Sequence, residues 1–304
     1  MIQTVTGEAD PTSWKIIDGH THVWIEPVGA IDPHPLILND RAGIERELIA
    51  FRKAGGSAMV DCQPAPACGR NGERLRQISL ATGVPIIAST GFHLRRYYPQ
   101  EAPIFAQDAA IAYQHIVDEL TQGLAEAPDI RAGFIKIACE KTLDDSPKAL
   151  IEAAVQASTA TGAAIQVHTE RGHDVEQIAE FMLACGQQPE KLILCHVDKR
   201  PDVALHQRLV ERGIRLEYDT FVRPKYDPDQ NAWPLLQQMI DTGYSNHIIL
   251  ATDLAEAAMW RNLGGGVGAV ALIEQIKARL KKWNFSSTII DSLLCQNIVN
   301  SLNR

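Results

Sequence analysis

The sequence predicts an α/β fold, a single (β/α)8 TIM barrel forming one domain over residues 1–304. Three observations predict it. Short apolar runs rich in Ile, Val and Ala recur eight times along the chain, and an amphipathic segment follows each. Eight such units in about 250 residues match the size and period of a barrel of parallel strands. Side chains able to ligate a metal fall at the ends of several of these runs, where barrel enzymes place their chemistry. A doubly wound sheet shares the alternation, which periodicity alone does not distinguish.

The apolar runs span 16–20, 57–61, 85–90, 133–138, 164–168, 192–196, 214–218 and 248–253. Continuous apolarity, rather than strict alternation, marks strands buried on both faces. Helices are expected at 44–53, 72–81, 110–125, 147–160, 175–185, 202–212, 232–241 and 267–282. Glycines at 83, 162, 213 and 243 stand where helix C-caps are expected. No linker or low-complexity tract divides the chain.

Composition narrows the function classes. Lys and Arg total 29 against 37 Asp and Glu, a net charge of −8, which argues against a nucleic-acid surface. No apolar run approaches the roughly 20 residues needed to span a bilayer. The first fifteen residues contain Glu8, Asp10 and Pro11 and lack the apolar stretch of a signal peptide, so a cytoplasmic protein is expected. The six cysteines are expected to be reduced and, for the most part, small buried hydrophobes.

The strand ends carry His20-x-His22, His168, His196 and Asp253, and Lys136 lies within the fourth run. Singly, each has a plain structural reading: a hydrogen-bonded core histidine, a paired lysine, a helix-capping aspartate. Together, four imidazoles, one carboxylate and one amine at one end of a barrel point to divalent metal. They exceed what one tetrahedral ion needs, which implies two.

In this order, the residues resemble the binuclear metal centre of the amidohydrolase superfamily. The opening Met-Ile-Gln-Thr-Val-Thr-Gly, Thr90-Gly91-Phe92, the segment Arg131 to Ala138 and Gly264-Gly265-Gly266 are similar to the phosphotriesterase family in particular. The resemblance implies that His20, His22 and Asp253 hold the more buried ion and that His168 and His196 hold the more exposed one. A carbamate on Lys136 would bridge the two, with Glu140 and Glu170 as fallback bridges. Zinc is the first expectation for both ions, with manganese, cobalt or iron as alternatives. A bridging hydroxide would attack a lactone or carboxylic ester carbonyl, with Asp253 as general base. Carboxylation needs a neutral amine, and burial inside a barrel is expected to lower the lysine pKa. Family precedent implies a homodimer acting on a small-molecule substrate.

Alternatives are a phosphotriester hydrolase, a mononuclear-metal amidase or deaminase with Lys136 unmodified, and a metal-bound, non-catalytic binding protein. Substrate contacts are expected from His93, Tyr98, Arg223, Lys225 and Trp260, within a set of mouth residues that includes Arg70, Arg95, Arg96, Arg171, Tyr97 and Tyr226. Three departures from the family pattern point away from phosphosugars and organophosphates. His93 stands where lactonases often carry Tyr, Thr220 replaces a strand-seven histidine, and Glu256 would repel a phosphate after strand eight.

Gly264-x-Gly266-x-x-Ala269 resembles a dinucleotide fingerprint but starts well after the preceding strand, so close packing in a loop is the better reading. Cys195, adjacent to a ligand, is expected to face a helix. His34, His115, His206 and His247 are expected to meet solvent.

Overall fold

The computed structural model describes residues 1–105 and 108–304. Eight parallel strands form one sheet: β3 (Ile17–Thr21), β4 (Ala58–Asp61), β5 (Ile86–Gly91), β6 (Phe134–Ala138), β7 (Ile165–His168), β8 (Leu192–Cys195), β9 (Arg215–Tyr218) and β10 (Ile248–Leu250). Each pairs with its sequence neighbour. The ends of the sheet meet through the Asp253 N–H donating to the His20 carbonyl (2.9 Å) and the His22 N–H donating to that of Leu254 (3.3 Å). The result is the (β/α)8 barrel that the alternation predicts.

Two apolar cores follow from strand alternation. Residues pointing out, such as Ile135, Ile137, Val167 and Leu194, pack under the surrounding helices. Residues pointing in, such as Ile17, Val60, Phe134, Ile193 and Ile249, fill the barrel. The helices α1 (Arg41–Lys53), α2 (Gly72–Thr82), α3 (Ala109–Thr121), α4 (Lys148–Thr161), α5 (Val175–Ala184), α6 (Val203–Val210) and α7 (Ala232–Asp241) form the outer layer.

Two features lie outside the sequence-based expectation. Residues 2–9 form an antiparallel hairpin of β1 (Ile2–Thr4) and β2 (Gly7–Ala9), tied to the barrel by the Val5 N–H donating to the Ile86 carbonyl. A C-terminal helical stretch, from Ser287 to Leu302, places Cys295, Ile298 and Leu302 against the inner core. The loop after β10 is drawn in by Glu47, which accepts from the Asn262 and Ala269 backbone amides (both 2.9 Å). Close packing also explains Gly264, where a Cβ would lie 2.4 Å from Ala258 Cα. Among the described residues, no helix is long and apolar enough to cross a membrane.

His206, expected in solvent, is instead buried between α6 and β9. Its Nε2 lies 3.0 Å from the Arg200 carbonyl and its Nδ1 lies 2.6 Å from the Tyr218 hydroxyl. The carbonyl can only accept, so Nε2 carries the proton and Nδ1 accepts from the hydroxyl. Burial pushes the His206 pKa down to about 4. Below the unfolded value of about 6.5, the unfolded chain takes up a proton that the folded chain refuses. Stability should therefore fall by roughly 1.4 kcal/mol per pH unit as pH drops through this window, levelling near the folded value. Thermal unfolding of wild type and His206→Gln across that range checks this. The variant should show the shallower pH dependence, and identical slopes would contradict the assignment.

Candidate metal centre

Barrel alternation sends Lys136 on β6 and His168 on β7 inward, two residues on from Phe134 and Gln166. The other ligand candidates need departures from it. On β3 both Gly19 and His20 face the interior. A Cβ at Gly19 would lie 2.9 Å from Ile249 Cγ2, and His20 Nδ1 lies 2.5 Å from Glu217 Oε1. A register shift in the β3–β4 pairing between Asp18 and Thr21 allows this, as a bulge does. His196 and Asp253 leave their strands in the left-handed region, with φ of 65° and 47°. Such backbone is costly for non-glycine residues and gathers at functional sites.

The six side chains converge at one mouth. His20 Nε2 and His22 Nε2 lie 3.7 and 3.9 Å from Asp253 Oδ1, and Lys136 Nζ lies 3.3 Å from His20 Nε2. The His196 ring centroid is 4.9 Å from that of His20 and 4.7 Å from that of His168. Ligand atoms of His20, His22 and Asp253 lie within 4.8 Å of one another, a grouping that could hold one ion.

Hydrogen bonds beneath the rings decide what these atoms offer. His22 Nδ1 lies 2.8 Å from Gln63 Oε1, while Gln63 Nε2 donates to the Cys68 carbonyl. That carbonyl cannot donate, so the amide orientation is fixed and His22 carries its proton on Nδ1. His20 Nδ1 faces Glu217 Oε1, and His196 Nδ1 faces Asp219 Oδ2 at 2.6 Å. These contacts leave Nε2 lone pairs turned into the mouth, the arrangement that carboxylate and amide partners impose on metal-ligating histidines. His168 Nε2 is buried without a hydrogen-bond partner, and its nearest carboxylate, Glu170, is 3.7 Å away. An orphaned imidazole nitrogen beside three oriented ones fits a divalent cation.

Burial holds His20, His22 and His196 below the usual histidine range, His22 at about 4, so they are neutral and able to ligate near pH 7. Burial opposes ionisation of Asp253 too, but the Arg223 guanidinium 2.8 Å from its Oδ2, with His196 and Lys199, holds its pKa down. Lys136 corrects an expectation. Burial opposes its charge, yet Cys195, Cys62, Glu217 and Asp253 together raise its pKa above the usual value. Cys195 is a second correction, because it faces the barrel interior with its Sγ 3.6 Å from Lys136 Nζ. Alternation from Ile193 sends it inward, and left-handed backbone then brings His196 in as well.

The centre opens into a cavity of about 230 Å³ that His93, Arg223 and Lys225 line. Tyr98 and Trp260 do not line it, which corrects their expected place among the substrate contacts. Trp260 is fully buried and donates from Nε1 to the Leu254 carbonyl (3.2 Å). Tyr98, 1% exposed, accepts at its hydroxyl from the His93 backbone amide. Arg70 is likewise internal, paired with Glu119 (2.5 Å) and Glu126 (2.7 Å). Glu256 lies 3.7 Å from both Arg223 and Lys225, so its charge is countered. Sequence reasoning missed Gln63, Glu217 and Lys199. Glu217, a carboxylate among the apolar residues of the run 214–218 that also holds Arg215, carried a signal like the one that singled out Lys136.

The chain matches the phosphotriesterase family over residues 1–301 and belongs to it. It is 28% identical to a phospho-furanose lactonase of Mycoplasmopsis synoviae, over 97% of this chain and 89% of that protein. It is 26% identical to the N-acetyltaurine hydrolase of Mus musculus, over 90% of this chain and 81% of that protein. The crystal structure of an amidohydrolase from Mycoplasma synoviae superimposes with a TM-score of 0.92 at 26% identity, covering 99% of this chain and 91% of that one. The family fold thus carries a His and Asp cluster suited to metal.

Gln63→Leu should leave the barrel intact while freeing His22 to place its proton on either nitrogen. Metal affinity is expected to fall about 10–100-fold, the usual cost of losing such a partner. Calorimetric zinc titration checks this, and unchanged affinity would contradict the role given to Gln63.

Proposed function

We propose that the chain is a metal-dependent hydrolase that uses two divalent cations, zinc first among them, to cleave a lactone or carboxylic ester. The observation that carries this reading is the convergence of oriented Nε2 lone pairs on the carboxylate of Asp253 and the amine of Lys136. The relatives' names, a lactonase and an N-acyl hydrolase, support attack at an acyl carbon.

His20, His22 and Asp253 would hold one cation, His168 and His196 the other, and a carbamate on Lys136 would join them. Bound there, the cations would acidify a water and polarise the acyl oxygen of the substrate. Cations held by the neutral imidazoles would also disfavour the Lys136 ammonium, so that the amine would lose its proton to solvent as the site loads. Carbon dioxide would then form an N–C bond at Nζ as the amine gives up a further proton to solvent, and the carbamate's two oxygens would share one negative charge.

Asp253 is the proton acceptor. Arg223 holds its Oδ2 at 2.8 Å and donates to its backbone carbonyl as well, so the carboxylate is ionised and its orientation is fixed. His93 lines the same cavity, with its Nδ1 accepting from the Leu94 amide at 2.7 Å, which leaves Nε2–H free to donate.

The one-metal amidase remains the second reading, favoured by the raised pKa of Lys136. Metal analysis separates them: two ions per chain is expected, and one would favour the alternative. Asp253→Asn should retain the fold and part of the metal yet lose about 10²-fold or more in kcat/KM on a lactone substrate. Near-wild-type turnover with unchanged metal content would remove Asp253 from the proton-transfer role.

A further inference from the structure

Arg96, Lys199, Arg223 and Lys225 line the cavity. Two of them are paired. Arg223 meets Asp253 at 2.8 Å and Glu256 at 3.7 Å, and Lys225 meets the same Glu256 oxygen at 3.7 Å. Lys199 differs. Among the described residues its ammonium makes no ion pair and no hydrogen bond, although most of the side chain is enclosed. Asp219, Asp253 and Asp198 favour its charge from beyond ion-pair distance, so the charge itself is countered. Its N–H donors are not, and sheltered donors without acceptors are costly unless a ligand supplies the acceptors.

The backbone holds Lys199 in place. The left-handed conformation of His196 starts a short turn, Val197–Lys199, that brings the lysine onto the cavity wall. Asp198, in the middle of that turn, accepts from the Asp219 amide (3.0 Å), the Thr220 amide (2.9 Å) and the Thr220 hydroxyl (2.6 Å). The Lys199 ammonium then stands 5.2 Å from the centre of the Tyr226 ring. One device therefore aims both His196 and Lys199 at the same cavity.

Arg96, from the loop after β5, also makes no ion pair among the described residues. It donates to the Tyr97 hydroxyl at 3.2 Å and lies over that ring. Glu170 lines the cavity as well, 3.7 Å from His168 Nε2, and Arg96 and Lys199 help to hold its carboxyl pKa down. Arg96, Lys199, Arg223 and Lys225 face Glu170, Asp253 and Glu256 across the cavity, so cations outnumber carboxylates there, and metal ions at the centre would increase the excess.

We propose that the substrate is a small acyl compound bearing an oxoanion (carboxylate, sulfonate or phosphate), and that Lys199 is the specificity-determining residue that binds it, with Arg96 as a second donor. The inference rests on the hydrolase reading and names the substrate class of that same site. Three N–H donors on a compact charge suit an oxoanion held away from the scissile bond.

The test compares matched lactones on the metal-reconstituted protein: one neutral, the others carrying a carboxylate, sulfonate or phosphate on the same ring. Wild type should prefer at least one anionic lactone by about tenfold or more in kcat/KM, the scale of one charge-assisted hydrogen bond. Lys199→Met should abolish that preference, chiefly through KM, and Lys199→Arg should restore part of it. Lys53→Met, at the exposed end of α1, should behave as wild type. Calorimetry with inorganic phosphate and methanesulfonate reads binding without turnover, and Lys199→Met should bind about tenfold more weakly. Lactone hydrolysis with no anionic preference, or anion binding indifferent to Lys199→Met, overturns the proposal and leaves the hydrolase reading standing. Anion binding that depends on Lys199, without hydrolysis of any lactone, overturns the hydrolase reading and keeps the anion site.

Discussion

The Cys68 carbonyl, which can only accept, fixes the Gln63 amide, and that amide fixes the proton on His22. The rest of the centre depends on the same kind of constraint. An imidazole ligates a cation only through a nitrogen without a proton, and in water either nitrogen can carry it. Here Gln63, Glu217 and Asp219 each face an Nδ1 from below, so three lone pairs meet in one small space. The partners come from β9 and from the segments that follow β4 and β9, so the barrel supplies the ligands and their orientation together.

Glu217 shows how deep this network runs. Burial and the neighbouring Asp219 push its pKa well above the usual carboxylate range, and Lys136 offsets only part of this. Gln166 Nε2 donates to its Oε2 at 2.6 Å and to the Gly19 carbonyl at 2.8 Å, and Cys62 donates to Gln166 Oε1 at 3.0 Å. A layer of polar groups thus lies between the apolar barrel filling and the mouth. Buried polar networks stabilise only when their members are satisfied. The bulge at β3 and the left-handed residues His196 and Asp253 cost roughly 1–3 kcal/mol each by the usual scale. The closed sheet around them supports that strain.

The barrel was legible because a strand buried on both faces reads as an apolar run, and eight such runs alternate with amphipathic segments. The ligand candidates were legible because polar groups at the ends of such runs stand out. What escaped reading depends on backbone details that a sequence does not display. Alternation counted back from His196 places Cys195 on the outer face, and that count fails where the chain turns left-handed. Tyr98 and Trp260 lie near mouth residues in sequence, but a backbone amide and a carbonyl draw their polar ends inward. The charge of Glu256 was visible, whereas its pairing with Arg223 and Lys225 required the fold. The N-terminal hairpin and the C-terminal helical stretch carry too short or too irregular a pattern to compete with the barrel's period.

The account stands on oriented imidazoles, and nitrogen NMR of the metal-free protein measures that orientation directly. His22 is predicted to be neutral near pH 7 with its proton on Nδ1, as are His20 and His196, and added zinc should perturb Nε2 rather than Nδ1. Imidazoles protonated on Nε2, as free histidine prefers, or zinc bound through Nδ1, would contradict the account.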